Sequence, residues 1–179
     1  MSYGKTKSKH NGLTMTGPER AALYRLALGT GFRADALRTL TPERFQLEGR
    51  EPTVTVLACY SKNGKQAVQP IAREPAAGLK PFIEGKEIGK PFLNVPSKTA
   101  QLLRHGLAQA GIPYQDNQGR YLDFHALRSS YITHLIKSGV NPKIVQMLAR
   151  HSTITLTLDR YTLLEADDLR GALERKQDG

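Results

Sequence analysis

Six side chains in this sequence have the types and spacing needed to handle a phosphate group without a metal ion. Arginine and lysine neutralise phosphate charge, histidine titrates near neutral pH, and a tyrosine hydroxyl can act as a nucleophile. Two of them are three residues apart on a predicted helix and therefore project from the same face. Each type alone is more often structural, so the hypothesis depends on the joint arrangement. The six candidates are Arg33, Lys62, His125, Arg128, His151 and Tyr161.

Other chemistries lack candidates in the sequence. There is no glycine-rich phosphate loop and no His-Glu-x-x-His motif. Asp167 and Asp168 form the only adjacent acidic pair, so a two-metal carboxylate cluster has no clear ligands. The single cysteine, Cys59, lies in an apolar run and is expected to be a buried hydrophobe. We therefore expect no cofactor and no metal.

The charge of the chain indicates a polyanionic partner. Its 26 Lys and Arg residues outnumber its 16 Asp and Glu residues, which gives a net charge of +10. Such a chain attracts nucleic acid by neutralising phosphates, although a protein with an incidental basic face has the same composition. No apolar run approaches the roughly 18 residues of a membrane span, and no signal-peptide pattern is present. We expect a nucleic acid as the partner and the cytoplasm as the compartment.

The patterning predicts a mainly α fold with a small antiparallel β-sheet, an α+β class. A helix begins at Thr16-Gly17-Pro18 and ends at Gly29 and Gly31, and a short helix follows over 33–40. β-branched residues over 53–60, the turn Asn63-Gly64 and residues 66–71 predict a β-hairpin, and residues 116–122 a weaker β excursion.

The remainder is predicted to be helical. Ser97 is expected to cap a helix that runs to Ala110, and another spans 125–138. Asn141-Pro142 begins a helix that is expected to turn Ile144, Val145 and Leu148 inward, followed by helices over 156–161 and 164–173.

The candidate residues fall in segments that resemble the tyrosine recombinases, the family of phage and mobile-element integrases and chromosome-dimer-resolving enzymes. Residues 30–40, Thr-Gly-Phe-Arg-Ala-Asp-Ala-Leu-Arg-Thr-Leu, resemble the family's first arginine box. His125-Ala-Leu-Arg128 matches its His-x-x-Arg box, and residues 148–152 with 160–162 match its closing His…Tyr segment. Lys62, eight residues before Pro70, matches the β-hairpin lysine. The resemblance covers residues 18–165.

The resemblance implies the tyrosine recombinase catalytic-domain fold over residues 16–179. Residues 1–15 are then a basic linker or arm, and the family's N-terminal DNA-clamping domain is absent. It also implies a site-specific recombinase that cleaves and rejoins DNA through a 3′-phosphotyrosyl bond, without metal or ATP. The family assembles on DNA as a homotetramer, and we expect this fragment to be a monomer. The resemblance also implies that the protein acts at the nucleoid of a bacterial or phage-infected cell.

Roles for the six residues follow from the resemblance and from their chemistry. Arg33 and Arg128 would bind the non-bridging oxygens, and His151 would donate to a phosphate oxygen. Tyr161 would attack phosphorus with His125 as its base. Lys62 would protonate the leaving 5′-oxygen, with Lys65 as the alternative.

The sequence departs from the family pattern at two positions. Ala36 stands where an acidic residue often supports the first arginine, with Asp35 beside it, and Arg150 stands where glycine usually precedes the histidine. These departures leave open a catalytically inactive DNA-binding remnant of a mobile element. An enzyme of the type IB topoisomerase kind is the other alternative, since it uses similar chemistry.

Overall fold

The computed structural model describes residues 15–57, 66–117 and 119–162. The predictions for Cys59, Lys62, Lys65, the first fourteen residues and the helix over 164–173 lie outside these ranges. The helices are α1 (Gly17–Thr30), α2 (Ala34–Arg38), α3 (Arg73–Ile83), α4 (Thr99–Gln109), α5 (Phe124–Lys137) and α6 (Pro142–Ala149), with a 3-10 turn at Pro42–Arg44. Residues 155–162, the C-terminal helical segment, are also helical.

Three short strands form one antiparallel sheet in the order β1-β2-β3. They are β1 (Phe45–Gln46), β2 (Thr53–Val56) and β3 (Ala67–Pro70). The predicted hairpin is β2 with β3, in a register that pairs Thr53 with Pro70 and Val56 with Ala67. The predicted class, mainly α with a small antiparallel sheet, is confirmed. None of the helices in the described ranges is long and apolar enough to cross a bilayer.

Helix α1 begins and ends where its sequence signals predict. The Thr16 side chain accepts from the Glu19 N–H while the Glu19 carboxylate accepts from the Thr16 N–H, and this capping box satisfies two unpaired donors. Gly31 ends the helix in the left-handed conformation. The apolar face of α1 packs against α3 and α5, so α1 forms the centre of the larger core.

Helix α5 connects two apolar clusters. Phe124 and Leu127 belong to the larger one, built around α1 and the sheet. One turn later, Tyr131 and Ile132 belong to a smaller cluster shared with α6 and with Tyr161. The candidate residues of α5 therefore lie where the two halves of the molecule meet.

Several local predictions were wrong. Helix α3 was not predicted, since Pro75, Gly78 and Pro81 are helix breakers by composition. Strand β1 was also missed, because a two-residue strand carries no periodic signal. The N-cap of α4 is Lys98 and not Ser97.

Two further corrections concern burial and pairing. Ile144 is exposed, while Val145 and Ala149 face inward, because the short α6 buries only one narrow stripe. The β excursion over 116–122 amounts to one isolated bridge, between Gln115 and Tyr121.

The corner between α1 and α2 is fixed by contacts from several elements, and it leads directly into Arg33. Gln69 of β3 donates its Nε2 hydrogen to the Thr30 carbonyl at 2.6 Å and lies 3.4 Å from the Tyr131 hydroxyl. Gly31 has φ 64°, and a Cβ there would stand 2.4 Å from Cδ1 of Tyr131. The corner therefore requires glycine for its backbone conformation and for its close approach to α5.

We expect Gly31→Ala to destabilise the fold by about 2–4 kcal/mol, because a left-handed alanine and overpacking against Tyr131 each cost about 1–2 kcal/mol or more. Urea denaturation followed by circular dichroism measures the loss. Gly17→Ala is the matched control, since nothing lies within 4 Å of its added Cβ. Equal stabilities for the two variants would contradict the proposed constraint at the corner.

Candidate active site

Arg33, His125 and Arg128 line one cleft of about 230 Å³. The first comes from the α1–α2 corner, and the other two from the first turns of α5. Asp123 lines the same cleft and caps α5, where its Oδ1 accepts from the Ala126 N–H at 2.9 Å. Folding thus brings together side chains that are more than ninety residues apart in the sequence.

Arg128 connects the corner to the end of α6. Its Nη1 donates to the Gly31 carbonyl at 2.6 Å, and its Nη2 donates to the Ala149 carbonyl. The residue is only 4% exposed. Burial and the charges of Arg33 and Arg150 lower the pKa of Arg128 to about 10, so it remains cationic at neutral pH. No carboxylate in the described part of the chain pairs with it, and a buried cation held only by carbonyls favours an incoming anion.

Arg33 is exposed at the N-cap of α2, and its side chain makes no hydrogen bond or ion pair with any described residue. The nearby Asp35 pairs with Arg38, at 2.6 Å, and Ala36 is buried. Among the described residues, no carboxylate therefore supports Arg33 in place of the acidic residue absent at Ala36. None of the described residues competes with a ligand for its donors.

The two histidines are held in the neutral form. Partial burial, followed by the charge of Arg128, lowers the pKa of His125. The same two causes, with Arg33 and Arg160, lower the pKa of His151 to about 4. Each imidazole therefore has one unprotonated ring nitrogen at neutral pH, which can accept a proton or a hydrogen bond.

Thr157 orients His151. Its hydroxyl, which is fully buried, lies 2.9 Å from Nδ1 of His151. If the hydroxyl donates to Nδ1, the imidazole proton resides on Nε2 and that nitrogen becomes a donor. Thr157 belongs to the C-terminal helical segment, so this contact ties the segment to the end of α6.

Tyr161 does not line the cleft that Arg33 and Arg128 share. Its hydroxyl donates to the Val140 carbonyl, and its ring packs on the smaller apolar cluster. The Val140 N–H donates to the carbonyl of Leu135, which lies about 10 Å from Arg128 along the axis of α5. Partial burial raises the pKa of Tyr161, with no contribution from an arginine.

Arg160, the neighbour of Tyr161, lies close enough to the histidines for its charge to act on them. The charge of Arg160 lowers the pKa of both histidines. Consecutive helical residues are about 100° apart, so Arg160 and Tyr161 point in different directions. Lys62 lies outside the described residues. Within the described ranges, no group of three or more potential metal ligands exists.

Residues 11–167 match the family model described as the phage integrase family. This match covers most of the 179-residue chain. The chain belongs to the phage integrase family.

Curated relatives from this family are similar over about half their length. Tyrosine recombinase XerA of Pyrococcus furiosus is 28% identical over 155 residues, which cover 84% of this chain and 52% of that protein. Tyrosine recombinase XerD of Pasteurella multocida is 28% identical over 167 residues, which cover 86% and 53%. The chain thus spans about half the length of these relatives.

Solved structures of other integrases share the fold. XerH bound to palindromic difH substrate aligns with a TM-score of 0.65 at 19% identity, covering 89% of this chain and 47% of that chain. The Tn1549 transposon integrase with transposon right end DNA gives 0.61 at 20%, covering 89% and 59%. The catalytic domain of bacteriophage HP1 integrase gives 0.58 at 22%, covering 88% and 82%.

Sequence reasoning missed the residues that position the integrase cleft. Gln69, Tyr131 and Thr157 make its supporting contacts, yet each has the pattern of an ordinary strand or core residue. One signal was available for Gly31, since glycine after a helix commonly takes the left-handed conformation.

The depressed pKa of His151 has a measurable consequence. In the unfolded chain its pKa is near 6.5, so the unfolded state binds a proton that the folded state does not. The contribution of His151 to stability is therefore full above about pH 6.5 and is lost as pH falls toward about 4. A histidine titration by NMR, with His151→Gln to assign the signal, should give a midpoint well below 6.5. A midpoint at or above 6.5 would contradict the electrostatics described for the cleft.

Proposed function

We propose that this chain is the catalytic part of a tyrosine-type site-specific DNA recombinase, which cleaves and rejoins strands through a 3′-phosphotyrosyl intermediate. The observation that carries the proposal is the convergence of Arg33, His125 and Arg128 on one cleft. Relatives named as tyrosine recombinases, and related folds solved with DNA, support it. These names favour strand exchange over the topoisomerase alternative.

The arginines would bind the phosphate that reacts. In-line attack on a phosphodiester adds negative charge to the two non-bridging oxygens. Arg33 presents donors that are free among the described residues, and Arg128 is held in place by the Gly31 and Ala149 carbonyls. Donors fixed before the reaction need no reorganisation as charge develops, and this term is usually the largest in catalysis.

Proton transfer would involve the histidines and the hairpin lysine. Neutral His125 would take the proton of the Tyr161 hydroxyl, and Nε2 of His151, oriented by Thr157, would donate to a phosphate oxygen. Lys62 would protonate the leaving 5′-oxygen, with Lys65 as the alternative. The phosphotyrosyl bond retains the energy of the phosphodiester, so a free 5′-hydroxyl could reverse the reaction.

Tyr161 must leave its contact with Val140 before it can react. A rotation by about 100° of the part of the segment after Thr157 would turn Tyr161 into the direction that Arg160 now has. The Tyr161 ring is only half-buried, and its hydroxyl is held by a single hydrogen bond to the Val140 carbonyl. Binding of DNA could therefore displace Tyr161 from this position.

The partner would be double-stranded DNA, and the assembly on two DNA sites a homotetramer. Residues 16–179 would act as the catalytic domain, with residues 1–15 as a basic arm. The work of such an enzyme would take place at the bacterial nucleoid, in the cytoplasm.

The nucleophile can be tested with nicked suicide duplexes of randomised sequence, which trap a covalent adduct. We expect an SDS-resistant adduct with the parent chain and none with Tyr161→Phe, because only the hydroxyl can attack phosphorus. Tyr121→Phe is the matched control, since this tyrosine is 61% exposed and should form adduct like the parent.

Adduct in the Tyr161→Phe variant would exclude Tyr161 as the nucleophile. DNA binding by the parent with no adduct at all would support the alternative of an inactive DNA-binding remnant.

A further inference from the structure

Arg150 holds a backbone conformation that arginine rarely adopts. It is the C-cap of α6 with φ 55° and ψ 43°, and no other non-glycine residue in the described ranges has a positive φ. Glycine would take this conformation without steric conflict. Residues held in the left-handed region against their preference concentrate at functional sites. The conformation of Arg150 therefore indicates a role for its side chain.

The backbone just before Arg150 and the guanidinium group of Arg150 both lie beside the cleft. The carbonyl of the preceding residue, Ala149, accepts from Nη2 of Arg128. The Arg150 guanidinium carbon lies 5.7 Å from the centre of the Phe32 ring, within the range of a cation–π contact. Phe32 lines the cleft next to Arg33. Arg150 thus extends the row of cations that begins with Arg33 and Arg128.

The charge of this row exceeds what one phosphate neutralises. The Arg150 side chain has no hydrogen bond or ion pair with a described residue, and the same is true of Arg33. Asp123 is the one carboxylate among the residues that line the cleft. A phosphodiester carries a single negative charge and two non-bridging oxygens, which Arg33 and Arg128 would occupy. A second anion close by would neutralise the surplus cation.

We propose that Arg150 binds a second backbone phosphate of the DNA, next to the one held by Arg33 and Arg128. The inference rests on the proposed function, because it assigns the same polyanion to an adjoining subsite. Phe32 supplies a rigid platform that keeps the guanidinium extended over the cleft edge. The contact is independent of base sequence, since phosphates carry no sequence information.

The salt dependence of DNA binding tests this subsite. The full chain carries Tyr161→Phe to prevent cleavage, and binding to a fluorescent duplex is measured by anisotropy at several NaCl concentrations. Each neutralised phosphate contributes about 0.9 to the slope of log K against log salt concentration. We expect Arg150→Gly to make that slope shallower by about 0.9. Arg150→Lys should retain the parent slope, because it retains the charge.

Controls separate binding from folding. Glycine suits the conformation of residue 150, so Arg150→Gly should unfold at the parent temperature or above it. Arg150→Asn removes the charge with a second residue that tolerates a positive φ. Lys90→Gln is the matched charge control, since Lys90 is exposed and paired with Glu87 at 2.7 Å. It should leave the slope unchanged.

An unchanged slope in both Arg150→Gly and Arg150→Asn would overturn the second subsite, because any phosphate that Arg150 touches would then be one already neutralised by its neighbours. Failure of the parent to bind DNA would overturn the proposed function and this inference together. A parent that binds DNA but forms no adduct in the suicide assay leaves the salt-slope result valid by itself.

Discussion

The pair of hydrogen bonds from Arg128 to the Gly31 and Ala149 carbonyls is the contact on which the cleft depends. These carbonyls belong to the α1–α2 corner and to the end of α6, so one buried side chain sets the positions of Arg33 and Arg150. Gly31 can accept this bond only because it lacks a Cβ that would strike Tyr131. The backbone conformation of Gly31, its packing against Tyr131 and the geometry of the cleft therefore depend on the same few atoms.

A shortage of negative charge explains the chemistry of the cleft. Arg33, Arg128, Arg150 and Arg160 act on the same histidines or on one another, while Asp123 is the one lining carboxylate among the described residues. Partial burial and, after it, this imbalance lower the pKa of both histidines, so the cleft favours a neutral base as well as a phosphate ligand. Without a bound anion, this excess of positive charge lowers the stability of the fold, a cost that is found mainly at functional sites.

The sequence contained enough information for the class of fold, for most helices and for the convergence of Arg33, His125 and Arg128. Caps and periodicity are local signals, and α1, α5 and α6 have them. Helix α3 was missed because packing against α1 overrides its prolines and glycine. The direction of Tyr161 was not predictable, since it depends on a backbone carbonyl of Val140 and on which face of a helix meets the smaller cluster. The contacts of Gln69 join residues far apart in the sequence, and the contact of Thr157 depends on the tautomer of His151. No spacing rule in the sequence predicts either of them.

The central claim is that forked guanidinium donors in this cleft stabilise charge on a reacting phosphate. Single-turnover adduct formation by Arg33→Lys tests it most directly, because Arg33 is exposed and makes no described hydrogen bond that the substitution would break. Lysine keeps the charge but not the fork, so we expect the rate to fall by about 10²–10³. Arg25→Lys, at an exposed arginine on α1, should react like the parent. A rate for Arg33→Lys close to that of the parent would contradict the account.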